Sequence, residues 1–117
     1  MTAIIRNVTF DCADPVRLAD FWGAALGLTE RNVKEEEVLL ANAEWGFPRL
    51  SFQHVPEAKA VKNRVHLDIT AERLDVEVER LRDLGATVLK IVEREDFAWV
   101  VMHDPENNEF CVTAAGD

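Results

Sequence analysis

The sequence lacks the features that would place it in a membrane or on a secretory route. No apolar run in its 117 residues approaches the roughly 20 residues that a membrane-spanning helix needs. Residues 1–6 lead directly into a predicted strand and do not have the layout of a signal peptide. We therefore expect a cytoplasmic protein with no membrane partner.

Basic residues are in the minority. The chain has 13 Lys and Arg against 22 Asp and Glu, which gives a net charge of −9. Binding to the phosphates of a nucleic acid needs a basic face, so we expect no nucleic-acid partner. A small anionic ligand is still compatible with this charge, because one pocket can be locally basic.

Cysteine is scarce, since Cys12 and Cys111 are the only two in the sequence. Neither belongs to a Cys-x-x-Cys pair, which argues against a structural zinc site of that kind. A disulfide between them is disfavoured in a reducing compartment. We expect two free, buried thiols, because free Cys usually packs as a small hydrophobe.

The sequence contains an internal repeat that organises the rest. Residues 63–69 (NRVHLDI) resemble residues 5–11 (IRNVTFD), and each stretch is followed by a predicted helix that ends in Leu-Gly. A repeat of this kind predicts that the two halves of the chain form the same structural unit. Because a half-length unit would be marginal alone, we predict one domain, residues 1–117, built of repeats at about 4–55 and 63–114.

Hydrophobic periodicity predicts the same element order in both halves. The predicted first half has a strand at 4–12, a helix at 14–26 and strands at 28–33, 38–41 and 49–55. The predicted second half has a strand at 65–70, a helix at 71–84 and strands at 87–92, 97–102 and 109–113. Asp14 and Pro15 are typical of a helix start, and Gly27 and Gly85 of helix ends. The loop at 42–48 contains Trp45 and Phe47.

The polar faces of the strands predict a ligand pocket. They carry mostly short hydrogen-bonding groups, namely Asn7, Thr9, Asp11, Ser51, Gln53, His66, Asp68, Thr70, Glu109, Cys111 and Thr113. An open antiparallel sheet with one wet face would also be polar, but such faces usually carry Lys, Glu and Arg. Phe97 and Trp99 add aromatic groups to a neighbouring strand. We favour a concave sheet that binds a small molecule.

Basic residues occur near the starts of the first strand of each half. These residues are Arg6, Lys59, Lys62 and Arg64. An anionic ligand would bind to them, above all to the planar guanidinium of Arg. The alternative is that they pair with nearby Asp and Glu, and the sequence leaves both open.

Three stretches resemble a known family: residues 6–15 (RNVTFDCADP), 62–68 (KNRVHLD) and 104–111 (DPENNEFC). With the repeated strand-helix-three-strand plan, they resemble the vicinal oxygen chelate superfamily, and within it the small glyoxalase-like domain proteins. The resemblance implies an α+β fold of two βαβββ modules, which form a curved, mostly antiparallel sheet with helices on its outer face. It also implies a homodimer.

The resemblance further implies where a metal would bind. Enzymes of the superfamily hold one divalent cation through a His or Gln on the first strand, a His on the first strand of the second half and a Glu on the last strand. These positions fall on Asn7, His66 and Cys111, and a further Glu position of some members falls on or near Ser51. Only His66 matches, so we expect no metal cofactor. Cys111 with His66 could still hold a soft metal such as zinc, and Asp68, Asp11 and Glu109 lie on the same predicted faces.

Two hypotheses about function follow. The first is a metal-free protein that binds a small metabolite or drug, with Trp22, Trp45 or Trp99 stacked on the ligand. The alternative is a metal-dependent lyase, isomerase or epimerase, in which His66 is a ligand or the catalytic base. The predicted substrate-binding residues are Asn7, Thr9, Ser51, Gln53, Arg64, Asp68, Trp99, Glu109 and Cys111.

Overall fold

The computed structural model describes residues 1–42 and 49–115. The first compact unit, Met1–Ala58, contains β1 (Asn7–Cys12), α1 (Pro15–Leu26), β2 (Glu30–Val33), β3 (Glu37–Ala41) and β4 (Arg49–His54). The second, Lys59–Asp117, contains β5 (Leu67–Ala71), α2 (Leu74–Leu84), β6 (Thr87–Glu93), β7 (Ala98–His103) and β8 (Glu109–Ala114). Both units are βαβββ modules, which confirms the predicted α+β class. Trp45 and Phe47 lie outside the described residues.

The two sheets have the same topology. The strand order is β1-β4-β3-β2 in the first unit and β5-β8-β7-β6 in the second. The first strand of each unit pairs in parallel with the last, and the other pairings are antiparallel. Each sheet is therefore mostly antiparallel, as expected. That the two repeats form a single domain stays a prediction.

The first unit has an aromatic core beneath a well-capped helix. The side chain of Asp14 accepts a hydrogen bond from the backbone of Arg17, and Gly27 ends α1 in the left-handed conformation with φ 67°. The buried stripe of α1 consists of Leu18, Ala19, Phe21, Trp22 and Ala25. Trp22 packs against Phe10, with ring centroids 5.5 Å apart. It is therefore a core residue and is not exposed to a ligand.

The second unit has a thinner core. Leu81 is the buried residue of α2, and Leu74, Val78, Val88, Ile91 and Val100 line an open apolar groove on the same side of the sheet. α2 begins at Leu74 and not at 71, because Arg73 is extended and its side chain makes no cap hydrogen bond. β5 likewise begins at Leu67, so that His66 lies just before the strand. Among the described residues, no helix is long and apolar enough to cross a membrane.

Candidate functional site

A cavity of about 760 Å³ opens on one face of the second unit's sheet. Its lining residues are Lys62, His66, Asp68, Leu89, Lys90, Phe97, Trp99, Val101, Glu109, Cys111 and Thr113. The pairing of β8 with its two neighbouring strands explains why these residues share one face. Asp68 and Val101 both lie beside Cys111, and Trp99 lies beside Thr113. Neighbours in register point to the same face of a sheet. The alternating residues, such as Val100, line the groove beside α2, so the cavity lies on the opposite face.

Three side chains with different donor atoms converge in this cavity. His66 Nε2 is 3.3 Å from Asp68 Oδ1, and the ligand atoms of His66, Asp68 and Cys111 all lie within 4.8 Å of one another. Burial raises the pKa of the Cys111 thiol, and the charge and hydrogen bond of Asp68 raise it further, while Lys62 acts in the opposite direction. Cys111 is therefore a protonated thiol at neutral pH and not an activated nucleophile.

Glu109 is the most heavily bonded carboxylate of the cavity. Its Oε1 is 3.0 Å from Lys59 Nζ and 3.7 Å from His103 Nε2, and its Oε2 accepts a hydrogen bond from the backbone N–H of Asn63 at 3.0 Å. Burial favours a higher pKa, but the hydrogen bonds from Asn63 and Lys59 outweigh it and lower the pKa of Glu109 to about 2. Glu109 is thus an ionised group committed to the protein's own structure.

Asn63 completes this arrangement. Its Oδ1 accepts a hydrogen bond from the backbone N–H of Glu109 at 2.8 Å, and its Nδ2 donates to the carbonyl of Val65 at 2.6 Å. We call Lys59, Asn63 and Glu109 the clasp, because together they fix the segment before β5 to the start of β8. Since that segment leads into His66, the clasp also fixes the approach of the chain to the cavity.

An aromatic and basic wall forms another side of the cavity. Phe97 and Trp99 stack with centroids 5.4 Å apart and an interplanar angle of 19°. The guanidinium of Arg94 lies 5.4 Å from the Trp99 ring centroid, within reach of a cation–π interaction. Lys62 and Lys90 also line the cavity. The sequence pattern did not indicate Lys90, because a register shift between Val88 and Lys90 breaks the alternation of β6. It did not indicate Arg94, which follows the end of that strand at Glu93.

The other predicted site residues lie elsewhere. Thr9 and Ser51 are register partners of β1 and β4 in the first unit. Asn7, Thr9 and Gln53 are exposed there, whereas Ser51 is only 2% exposed. Arg64 is exposed and is not among the residues that line the cavity. The cavity therefore brings together His66, Asp68, Trp99, Glu109 and Cys111 of the predicted set.

The residues do not fit the divalent cation that the resemblance implies. The positions expected to supply its ligands hold an amide at Asn7, a buried hydroxyl at Ser51 and a thiol at Cys111, with His66 as the one match. Hard cations prefer several oxygen ligands, and carboxylates above all. The nearby carboxylate of Glu109 is already held by Lys59 and Asn63. These residues therefore give no support to a reaction step through such a metal.

Comparisons with known proteins agree on the fold. A crystal structure of a glyoxalase/bleomycin resistance/dioxygenase family enzyme from Burkholderia phytofirmans PsJN matches with a TM-score of 0.78 and 19% identity, over 96% of this chain and 98% of that one. The fosfomycin resistance protein FosX from Listeria monocytogenes matches with a TM-score of 0.76 and 15% identity, over 98% and 95%.

A lactoylglutathione lyase from Agrobacterium tumefaciens matches with a TM-score of 0.65 and 15% identity, over 98% of this chain and 96% of that one. No curated protein matches the sequence. The sequence model of the glyoxalase-like domain matches residues 7–113, nearly the whole length of both modules. The chain therefore belongs to the glyoxalase-like domain family.

Proposed function

We propose that the chain binds a small organic molecule with an aromatic part and a negative charge in the cavity of the second unit, without the metal usual in the superfamily. The observation that carries this proposal is the stacked pair Phe97 and Trp99 beside Lys62 and Lys90. Phe97 is 46% exposed, although large aromatic side chains normally lie in a core. A stacked aromatic pair with one exposed ring next to a concave surface is typical of a binding site.

The charges of the cavity favour an anion. Lys59 neutralises Glu109, which leaves Asp68 as the one negative charge among the described lining residues. Lys62 and Lys90 outweigh that charge, so the cavity is positive in sum. A locally basic cavity in a chain of net charge −9 focuses the attraction for an anionic ligand at one place.

The size of the cavity and the names of the structural neighbours agree with a small ligand. A volume of about 760 Å³ falls within the range of about 300–1,000 Å³ that is usual for drug-sized ligands. Two neighbours are named for fosfomycin resistance and for a lactoylglutathione lyase, and both names refer to small organic molecules. These names support the class of ligand and do not identify it.

Fluorescence titration with 1-anilinonaphthalene-8-sulfonate, an aromatic anion, tests the proposal. We expect saturable binding that 1-naphthoate displaces and that 1-naphthylmethylammonium, its cationic counterpart, does not. Trp99→Leu should weaken binding about fivefold, since an aromatic contact contributes about 1 kcal/mol. Lys90→Met should weaken it by a similar factor, whereas the exposed Lys34→Met, in the first unit, should leave it unchanged. Equal affinity for anion and cation, or no effect of Trp99→Leu and Lys90→Met, would contradict the proposal.

The second candidate is a lyase, isomerase or epimerase with His66 as general base. The separation of 3.3 Å between His66 Nε2 and Asp68 Oδ1 supports it, because a carboxylate at that distance orients an imidazole for proton transfer. We expect His66 to exchange the proton next to the carbonyl of a 2-hydroxy ketone with solvent deuterium. Proton NMR of a panel of such compounds in heavy water measures the exchange. His66→Gln should abolish it while anilinonaphthalene sulfonate still binds, and equal exchange in that variant would refute the role.

We also propose that the protein is a cytoplasmic homodimer. β6 is an edge strand, and its apolar Val88, Leu89 and Ile91 are 36%, 54% and 63% exposed. Exposed apolar side chains on an edge strand favour association with another chain. Sedimentation equilibrium should give twice the mass of 13.2 kDa, and Ile91→Lys should return the mass to that of one chain. A wild-type mass of one chain would exclude the dimer.

A further inference from the structure

We propose that the cavity of the second unit binds an elongated aromatic anion that also carries a hydrogen-bond donor, such as a hydroxyl group, at the end far from its negative charge. This inference rests on the proposed function and specifies the class of ligand. It follows from a row of four side chains that crosses the cavity, namely Asp68, Cys111, Val101 and Lys90. A carboxylate stands at one end of this row and an ammonium group at the other.

Strand pairing places the four residues in one line. Asp68 on β5 is the register partner of Cys111 on β8. Cys111 is in turn the partner of Val101 on β7, which is the partner of Lys90 on β6. The strand order β5-β8-β7-β6 makes Asp68 and Lys90 the two ends of the row. Since all four line the same cavity, both charged ends are available to one bound molecule.

The length of the row sets the length of the ligand. Neighbouring strands are about 4.8 Å apart, so three spacings separate the backbones of Asp68 and Lys90 by about 14 Å. Side chains stand roughly perpendicular to a sheet, and the two charged groups therefore stay well apart. Hydrogen bonds of about 2.8 Å at each end leave about 8–9 Å for the ligand. A carboxylate and a hydroxyl group at opposite ends of a naphthalene ring system span about that distance.

The end of the row at Lys90 suits the anionic and aromatic parts of the ligand. Lys90 is exposed, and among the residues that the structure describes no ion pair involves it. Trp99 lies two residues before Val101 on β7 and lines the same cavity, with Phe97 stacked on it. A ring that rests on Val101 beside this aromatic pair would direct its carboxylate to Lys90.

The end of the row at Asp68 suits a hydrogen-bond donor. A carboxylate accepts hydrogen bonds at about four positions and donates none when it is ionised. His66 Nε2, 3.3 Å from Asp68 Oδ1, and the thiol of Cys111 account for two of these positions. Because the side chain of Asp68 is 67% exposed, the others are open to a molecule in the cavity. They accept a donor and repel a second anion, so Asp68 selects the group at the far end of the ligand.

The alternative is that Asp68 only joins His66 and Cys111 and does not contact a ligand. Loss of such a structural role would weaken the binding of every ligand alike. A direct contact predicts two opposite effects of Asp68→Asn, because the substitution removes both a strong acceptor and a negative charge. It should weaken the binding of an anion that carries the donor, and an anion without the donor should bind at least as tightly as before.

Isothermal titration calorimetry of the full chain with four related anions tests the inference. We expect 6-hydroxy-2-naphthoate to bind at least about tenfold more tightly than 2-naphthoate, the low end for a hydrogen bond to a charged group. 6-Methoxy-2-naphthoate, which cannot donate a hydrogen bond, should show no such gain. 3-Hydroxy-2-naphthoate should show none either, because its hydroxyl group lies beside its carboxylate and cannot reach the other end of the row.

Three variants assign the two ends of the row. Asp68→Asn should reduce the advantage of 6-hydroxy-2-naphthoate at least about threefold without weakening the binding of 2-naphthoate. Lys90→Met should weaken the binding of both anions alike. Asp75→Asn makes the same change of charge in the groove beside α2, on the opposite face of the sheet, and should change neither affinity.

The outcomes separate this inference from the proposed function. Equal affinities of the wild type for 6-hydroxy-2-naphthoate and 2-naphthoate, or an advantage that is unchanged in Asp68→Asn, would overturn the inference. The proposed function would then still stand, because 2-naphthoate binds. Absence of binding by all four anions would overturn both.

Discussion

Replacement of Glu109 by Gln tests the clasp, because it removes the charge and keeps the shape. The folded protein lowers the pKa of Glu109 from 4.5 to about 2. Each pKa unit corresponds to about 1.4 kcal/mol, so ionised Glu109 contributes up to about 3 kcal/mol of stability at neutral pH. Its side chain is 9% exposed, which leaves little screening by water. Because the amide of Gln can still accept a hydrogen bond, we expect Glu109→Gln to lose about 2 kcal/mol.

The effect of pH has a definite sign. A carboxylate whose pKa is lowered by folding stabilises the folded state above its unfolded pKa, and this contribution disappears as pH falls through the folded pKa. The contribution of Glu109 is therefore complete above pH 4.5 and is lost towards pH 2. By about pH 3 the difference between wild type and Glu109→Gln should be less than half of its value at pH 7.

Urea unfolding followed by circular dichroism at pH 7 and pH 3 measures the loss of stability in Glu109→Gln and its dependence on pH. Glu79→Gln is the matched control, because Glu79 pairs with Arg82 but is 69% exposed, and its loss should change the free energy of unfolding by less than about 0.5 kcal/mol. Lys59→Met should remove much of the effect of Glu109→Gln in the double variant, since the two side chains interact directly. A difference between wild type and Glu109→Gln that stays constant with pH would refute the assignment of the lowered pKa.

Substitutions at three further positions test the fold. Asp104 is 2% exposed, and its Oδ1 accepts hydrogen bonds from the backbones of Glu106 and Asn108, so Asp104→Ala should lose about 2–4 kcal/mol in urea unfolding at pH 7. Asn107 has φ 67°; Asn107→Gly should therefore keep the melting temperature or raise it, whereas Asn107→Val should lose about 1–2 kcal/mol by calorimetry. Phe52 is fully buried, and Phe52→Ala should lose about 3–5 kcal/mol by the same method. Equal stability of any destabilised variant and the wild type would contradict its structural assignment.

Local signals made much of the fold predictable. The repeat, the alternation of the strands and the Gly residues that end both helices depend on neighbours within a few residues, and the structure has them as expected. Helix α2 was predicted three residues too long at its start, because Arg73 gives no side-chain cap and nothing nearby marks the boundary. The strand order within each sheet was not predicted, because it depends on pairings between segments that are distant in the sequence.

The site was less predictable, because its chemistry depends on contacts between distant residues. The bond from Lys59 to Glu109 spans 50 positions, and no periodicity indicates that these two charges neutralise each other. Glu109 was therefore expected to face a ligand. The register shift in β6 moved Lys90 onto the cavity face, where alternation cannot place it. Convergence of His66, Asp68 and Cys111 depended on the parallel register of β5 and β8, which only the sheet topology provides.

The unequal cores of the two units link binding to folding. α1 buries five residues, with Trp22 and Phe21 among them, whereas α2 buries Leu81. The unit with fewer buried contacts opens at the lower free energy, and it is the unit that contains the cavity. A ligand bound there would add its binding free energy to the unit with the smaller core. Ligand binding in the cavity should therefore slow amide hydrogen exchange in β5 to β8 and change it little in β1 to β4.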